Sequence, residues 1–202
     1  MKIALFDFDE TLIEENSLNF LFKHFLGNRP LAIQLLPLLC KASTYQQGIK
    51  VSIKTYLYKK SLKGKMREDL FAAGVVLFDK VTPIIEVVAI MKKLNDAGIE
   101  IWIVTASPES YIAGIVEKLG WPVKRVIGTT IVEQNGMLTG EIESECQEQE
   151  KVVRLNSIFS VNNERHDIVQ AFGNLPVDIP MLKMANNSFY VLNEVVKPFN
   201  VE

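Results

Sequence analysis

Cysteine and histidine are nearly missing from this chain: it has two of each in 202 residues. Cys40 and Cys146 show no CxxC spacing, so neither a disulfide framework nor a zinc knuckle is readable. His24 and His166 stand apart from each other and from both cysteines, which argues against a histidine-bound metal or histidine phosphotransfer. A charge excess is missing too. Twenty-two Lys and Arg face 24 Asp and Glu, a net charge of −2, so the surface as a whole carries no nucleic-acid footprint. Met1 to Phe6 is apolar but stops at Asp7 and Asp9, too soon for a signal peptide. The oiliest stretch, Leu18 to Cys40, is broken by Lys23, His24, Arg29, Pro30 and Pro37. It falls short of the roughly 20 mostly apolar residues of a membrane span. These absences lead us to expect a cytoplasmic protein with reduced thiols, no nucleic-acid partner and no membrane span.

What remains is a chain long enough to bury a full core without metal or disulfide staples. Lys2 to Phe6 (KIALF) reads as a buried strand ending in a polar loop. Residues 14–80 are rich in Leu, Lys, Phe and Tyr at helical spacing, and read as an inserted helical subdomain. Thr82-Pro83 opens a helix that ends at Ala97-Gly98. Strands and helices then alternate: a strand at 99–104, a helix at 108–119 closed by Gly120, and a hairpin at 129–142 turning on Asn135-Gly136. A helix at 148–159, a strand at 168–172, a helix at 179–185 and a last strand at 189–192 complete the pattern. This order implies an α/β fold with a doubly wound, mostly parallel sheet covered on both faces. The expected division is a core of residues 1–13 and 81–202 with a helical cap, 14–80, inserted after the first strand.

In such sheets ligands bind beyond the carboxyl ends of the strands. Three strand ends carry polar residues: Asp7, Thr105, and Gly173-Asn174 with Asp178 just beyond. Asp7 and Asp9 are the sharpest feature. Two carboxylates two residues apart after a strand are costly to bury without a cation or a shared proton. Lys2 is the one basic residue among the first twenty-two.

The run Asp7-Phe8-Asp9-Glu10-Thr11-Leu12 resembles the first motif of the haloacid dehalogenase superfamily. Thr105, Lys151 at a helix start, and the stretch Gly173 to Leu182 follow in the order of that family's other three motifs. The helical insertion, the Thr-Ala-Ser-Pro-Glu run and the Asn-Gly hairpin look most like its phosphoserine-phosphatase-like branch. The resemblance implies a magnesium-dependent hydrolase acting on a small phosphomonoester. Asp7 would be the nucleophile, Asp9 the general acid and base, Thr105 with Ala106 and Ser107 the phosphoryl grip, and Lys151 the neutralising cation. Asp7, the Asp9 carbonyl, Asn174 and Asp178 would hold Mg2+. Asn174 departs from the family's usual aspartate, which weakens the expected metal site. Ser107 reads equally well as a helix N-cap before Pro108.

Substrate contacts are sought in Glu15, Asn16 and Lys54. The acidic head-group position of phosphoserine phosphatases falls on Asn16, and no arginine lies between Arg29 and Arg67, so phosphoserine itself is not favoured. The basic run from Lys50 to Arg67 reads as a solvated helix face, with attraction of an anionic substrate or lipid phosphate as the alternative. A dehalogenase, a phosphotransferase and a silent phospho-ligand-binding module share the same fold and stay open at this point.

Overall fold

The computed structural model describes residues 1–27, 35, 49–162 and 166–200. A seven-stranded sheet runs through it: β1 (Lys2–Phe6), β2 (Glu100–Pro108), β3 (Val123–Gln134), β4 (Met137–Ser144), β5 (Asp167–Gly173), β6 (Asn187–Leu192) and β7 (Val195–Pro198). Their spatial order is β4-β3-β2-β1-β5-β6-β7. β1 pairs in parallel with β2 on one side and with β5 on the other. β4 and β7 are antiparallel additions at the two edges. The chain therefore leaves β1 toward one half of the sheet and later fills the other half, which makes the end of β1 a switch point.

Alternation along β1 sorts its side chains between two cores. Ala4 and Phe6 join the larger one, under α4 (Ile85–Asp96) and α5 (Glu109–Leu119). Ile3 and Leu5 join the other, with Leu155 of α6 (Gln149–Asn162) and Met181 and Leu182 of α7 (Ile179–Leu182). The rings of Phe6, Phe172 and Phe189 stack across β1, β5 and β6 at 4.6 and 5.0 Å. This aromatic row ties together the strands that carry Asp7 and Asn174.

The described part of the insertion is helical, as expected: α1 (Ser17–Leu26), α2 (Ile49–Leu62) and α3 (Arg67–Leu77). It is anchored on two sides. α3 crosses α5 so closely that a Cβ on Gly114 would sit 2.2 Å from the Phe71 carbonyl oxygen, and one on Gly74 would sit 2.1 Å from that of Tyr111. α2 lies against the β3–β4 hairpin, where the loop after it exchanges backbone hydrogen bonds with Leu138, Gly64 N–H to Leu138 and Leu138 N–H to Lys65.

The basic run from Lys50 to Arg67 has a structural partner in that hairpin. Lys54 pairs with Glu145, Lys59 with Glu141 and Arg67 with Glu133. Lys60 and Lys65 lie over the rings of Tyr56 and Phe25. Among the described residues no helix is long and apolar enough to cross a membrane. Cys40 and most of the oily stretch after Gly27 lie outside the described residues.

Two strands exceed expectation. β3 begins at Val123, not at 129, because its first half pairs in parallel with β2 before its second half turns into the hairpin. β7 was not expected at all; Asn193 and Glu194, both at positive φ, fold it back onto β6.

Candidate active site

The ends of β1, β2 and β5 meet around a cavity of about 260 Å³. Asp7 extends β1, its N–H bonded to the Phe172 carbonyl. Its carboxylate is fixed at both oxygens: Lys151 Nζ lies 2.6 Å from Oδ1, and Thr11 Oγ1 donates to Oδ2 at 3.1 Å. Lys151 starts from the first turn of α6, on the other side of the hairpin, and is 1% exposed. Its ammonium also reaches Asp178 Oδ1 at 2.6 Å. Burial alone would lower the Lys151 pKa, but the charges of Asp7 and Asp178 and the hydrogen bonds they accept outweigh it. The net effect holds the group above its ordinary range. The Asp178 carboxyl is shifted upward by burial and by Asp7, against the pull of Lys151.

Asp178 also accepts the Asn174 N–H through Oδ2 at 2.9 Å. Gly173 makes this turn possible, since a Cβ there would come within 2.6 Å of the Asp178 Cβ. Both Asp178 oxygens are thus occupied within the protein. The Asn174 side chain donates from Nδ2 to the Asp9 backbone oxygen at 3.3 Å.

Asp9 faces the insertion. Its Oδ1 accepts the Ser17 N–H at 2.6 Å, at the start of α1, and its Oδ2 accepts the Ser107 hydroxyl at 2.8 Å. Asn16, the residue before α1, makes no side-chain cap bond, so Asp9 serves as the acceptor the helix end requires. Burial raises the Asp9 pKa to about 6; the Asp7 charge adds to this, and the bonds from Ser17 and Ser107 oppose it.

An acid whose folded-state pKa exceeds its unfolded one holds its proton more tightly when folded. Stability then falls as pH rises from about 4 to about 6, and the cost persists above that. Asp9→Asn is isosteric, and the Ser107 hydroxyl can accept from its amide. In a cation-free buffer this variant is expected to be more stable than the natural protein at pH 7.5, by about 2 kcal/mol, and no more stable at pH 4. Urea unfolding at the two pH values checks this; equal stability at pH 7.5 contradicts it.

The remaining sequence candidates separate. Ala106, Ser107, Asn16 and Lys54 line the cavity. Lys54 donates to Glu145 and, at 3.2 Å, to Gln147. Thr105 is fully buried, and its hydroxyl accepts the Ser107 N–H at 3.1 Å. Glu15 is not in the cavity: it accepts the Thr82 N–H and hydroxyl at 2.9 and 2.6 Å, joining the outgoing and returning ends of the insertion. The alternative reading of Ser107 as an N-cap is also corrected. The helix cap is Pro108, without a side-chain bond, and the Ser107 hydroxyl goes to Asp9. Cys146 is buried and its thiol is pushed up to about 11, chiefly by burial, so it is unreactive at neutral pH.

Glu10, Leu18, Gln147 and Val177 also line the cavity. Glu10 and Leu18 are separated by one or two residues from the expected Asp9 and Asn16, a proximity that sequence alone could have used. Val177 has the same signal beside Asp178; Gln147 has none.

A model of the haloacid dehalogenase-like hydrolases matches residues 4–183. The chain belongs to that family. Protein CicA of Caulobacter vibrioides (strain NA1000 / CB15N) is 26% identical over 195 residues, covering 93% of this hydrolase and 85% of that protein. Among solved structures, a protein of unknown function from Bordetella pertussis Tohama I superposes with a TM-score of 0.72 at 21% identity, covering 93% of this chain and 88% of that one. A substrate-bound phosphoserine phosphatase superposes with a TM-score of 0.60 at 21% identity over 94% and 85%. A phospho-aspartyl intermediate analogue of phosphoserine phosphatase gives 0.59 at 22% over 93% and 84%. At these identities the structures speak to the fold, which they share with this hydrolase.

Proposed function

We propose that this hydrolase is a magnesium-dependent phosphatase that cleaves a small phosphomonoester through an aspartyl-phosphate on Asp7. The observation that carries the reading is Lys151. A buried ammonium 2.6 Å from both Asp7 and Asp178 has no use in a merely acidic turn, and it is what an anionic nucleophile facing an anionic substrate requires. The division into a core of 1–13 and 81–202 and a cap of 14–80 belongs to the same reading.

A hard divalent cation fits the donors present. The Asp7 carboxylate, the Asp9 carbonyl and the Asn174 amide converge, and half a turn of that amide would bring its oxygen to the 3.3 Å position now held by Nδ2. Among the described residues no group of three or more Asp, Glu, His or Cys forms a cation site, and Asn174 would offer an amide oxygen where a carboxylate would bring a full charge. Bound there, Mg2+ would offset the repulsion between Asp7 and the phosphoryl oxygens.

The protein's own groups do the rest. An Asp7 oxygen attacks phosphorus in line, and the bond to the leaving oxygen breaks as that oxygen takes the Asp9 proton. Water then attacks the aspartyl-phosphate, returns a proton to Asp9, and frees Asp7 and inorganic phosphate. Lys151 balances the charge in both halves. A cavity of about 260 Å³ suits a small ester, and Lys54, Gln147, Asn16 and Leu18 would meet the leaving group.

A screen for phosphate release over amino-acid, sugar, nucleotide and lipid phosphates, with Mg2+ titrated, tests this reading. The Asn174→Asp variant is expected to need roughly tenfold less Mg2+ for half-maximal rate, because it exchanges an amide dipole for a full charge. The Asn174–Asp9 hydrogen bond also motivates a second reading, a silent phospho-ligand-binding module. Phosphate release by Asn174→Asp alone, with none from the natural protein, would favour that one.

A further inference from the structure

We propose that Ser107 is a positioning residue for Asp9: with the Ser17 N–H on Oδ1, its hydroxyl on Oδ2 holds the carboxyl group that delivers and recovers the proton, and it does not hold the phosphoryl group. The inference rests on the phosphatase reading and deepens it.

Ser107 is 1% exposed and Ser17 is fully buried, so the contacts between them and Asp9 are not those of solvated side chains. The two Asp9 oxygens meet different partners. Oδ1 faces the Ser17 N–H at 2.6 Å, and Oδ2 faces the Ser107 hydroxyl at 2.8 Å. An N–H only donates, so Oδ1 must remain an acceptor whether Asp9 is neutral or ionised. The proton of the neutral acid therefore belongs on Oδ2.

A hydroxyl both donates and accepts. It suits an oxygen whose charge changes twice per turnover. As the bond from phosphorus to the leaving oxygen breaks, that oxygen takes the proton from Oδ2, and the negative charge left on Oδ2 meets the Ser107 O–H. When water attacks the aspartyl-phosphate, its proton returns to Oδ2.

The surroundings hold this arrangement. Ser17 Oγ lies 3.4 Å from Ser107 Oγ, a second partner for the serine hydroxyl when it turns. The Tyr111 hydroxyl donates to the Ser17 carbonyl at 3.0 Å, pinning the start of α1 to α5. The Ser107 N–H is itself bonded to Thr105 Oγ1 at 3.1 Å, so neither polar group of Ser107 is left for phosphate.

The test is Ser107→Ala, compared with the natural protein on two substrates at saturating Mg2+. Glycerol phosphate has a poor leaving group that needs the proton; nitrophenyl phosphate has a good one that does not. We expect kcat on glycerol phosphate to fall about 30-fold and kcat on nitrophenyl phosphate by less than about 3-fold, as befits a hydrogen bond to a charged group. KM and the inhibition constant of inorganic phosphate should stay within about twofold. Equal losses on both esters, or a tenfold or greater weakening of phosphate inhibition, overturn the proposal. Ser107→Cys, close in volume and a weak donor, serves the same comparison if the alanine variant does not fold. A natural protein that releases no phosphate from these esters or from any ester of the wider screen removes the phosphatase reading and this inference with it. Equal losses remove the inference alone.

Discussion

Asp7→Asn is expected to retain less than about one ten-thousandth of the natural phosphate release, while melting within a few degrees of the natural protein. An amide oxygen at this position does not form the ester bond to phosphorus on which the proposed cycle turns. The fold has little reason to object. Lys151 stands between Asp7 and Asp178 at 2.6 Å from each, and Asp9 adds a further carboxylate to the same cavity. Asp7, Asp9 and Asp178 crowd around one buried ammonium, Lys151, so neutralising Asp7 relieves repulsion. The amide oxygen can accept from Lys151, and the Thr11 hydroxyl can turn to accept from the amide nitrogen. Phosphate-release assays and thermal melts check the two halves. Rapid quench and mass spectrometry of the natural protein should find a phosphoryl group on Asp7 and none in the variant. Near-normal turnover in Asp7→Asn would end the proposed chemistry.

The parts of the site that were legible in the sequence lie where a regular element stops at a polar residue. Asp7, Asn174 and Asp178 follow strands whose apolar runs are plain, and the Asn135-Gly136 turn marked the hairpin. Lys151 was different. It follows five glutamates between Glu141 and Glu150, and only the order of motifs raised it above an ordinary surface lysine. The fold resolves that charge run by turning Glu141 and Glu145 toward Lys59 and Lys54 and burying Lys151 alone. Glu15 was misread because its neighbourhood in sequence is acidic and close to Asp9, whereas its partner Thr82 arrives from 67 residues away. Ser107 carried a sound local signal, Ser-Pro-Glu before a helix, which lost to a carboxylate 98 residues distant. The start of β3 escaped because Lys124 and Arg125 interrupt its apolar pattern. Arg125 is accommodated by lying over the Trp102 ring at 4.9 Å. In each case a partner remote in sequence outweighed the local preference.

Lys151→Met should be the more damaging change, because it removes the cation and leaves the carboxylates. Asp7 and Asp178, both buried, would face each other with nothing between them. Taking one partner from a buried ion pair costs about 3–5 kcal/mol, and we expect a loss of that size at pH 7.5 in urea unfolding. The deficit should shrink as pH falls toward 5. Without the ammonium that opposes its upward shift, buried Asp178 binds its proton more tightly in the folded state than in the unfolded chain, so lowering the pH favours folding. Turnover should fall at least ~10³-fold, since no other buried cation faces the phosphoryl group among the described residues. Adding Asp178→Asn separates the two roles of the lysine. The double variant should regain much of the stability, because one stranded charge is gone, yet none of the turnover, because Asp7 still meets the substrate's charge unaided. A double variant that recovers both would reduce Lys151 to a structural counter-ion. One that recovers neither would mean that the ammonium fixes the geometry of Asp7 as well as its charge.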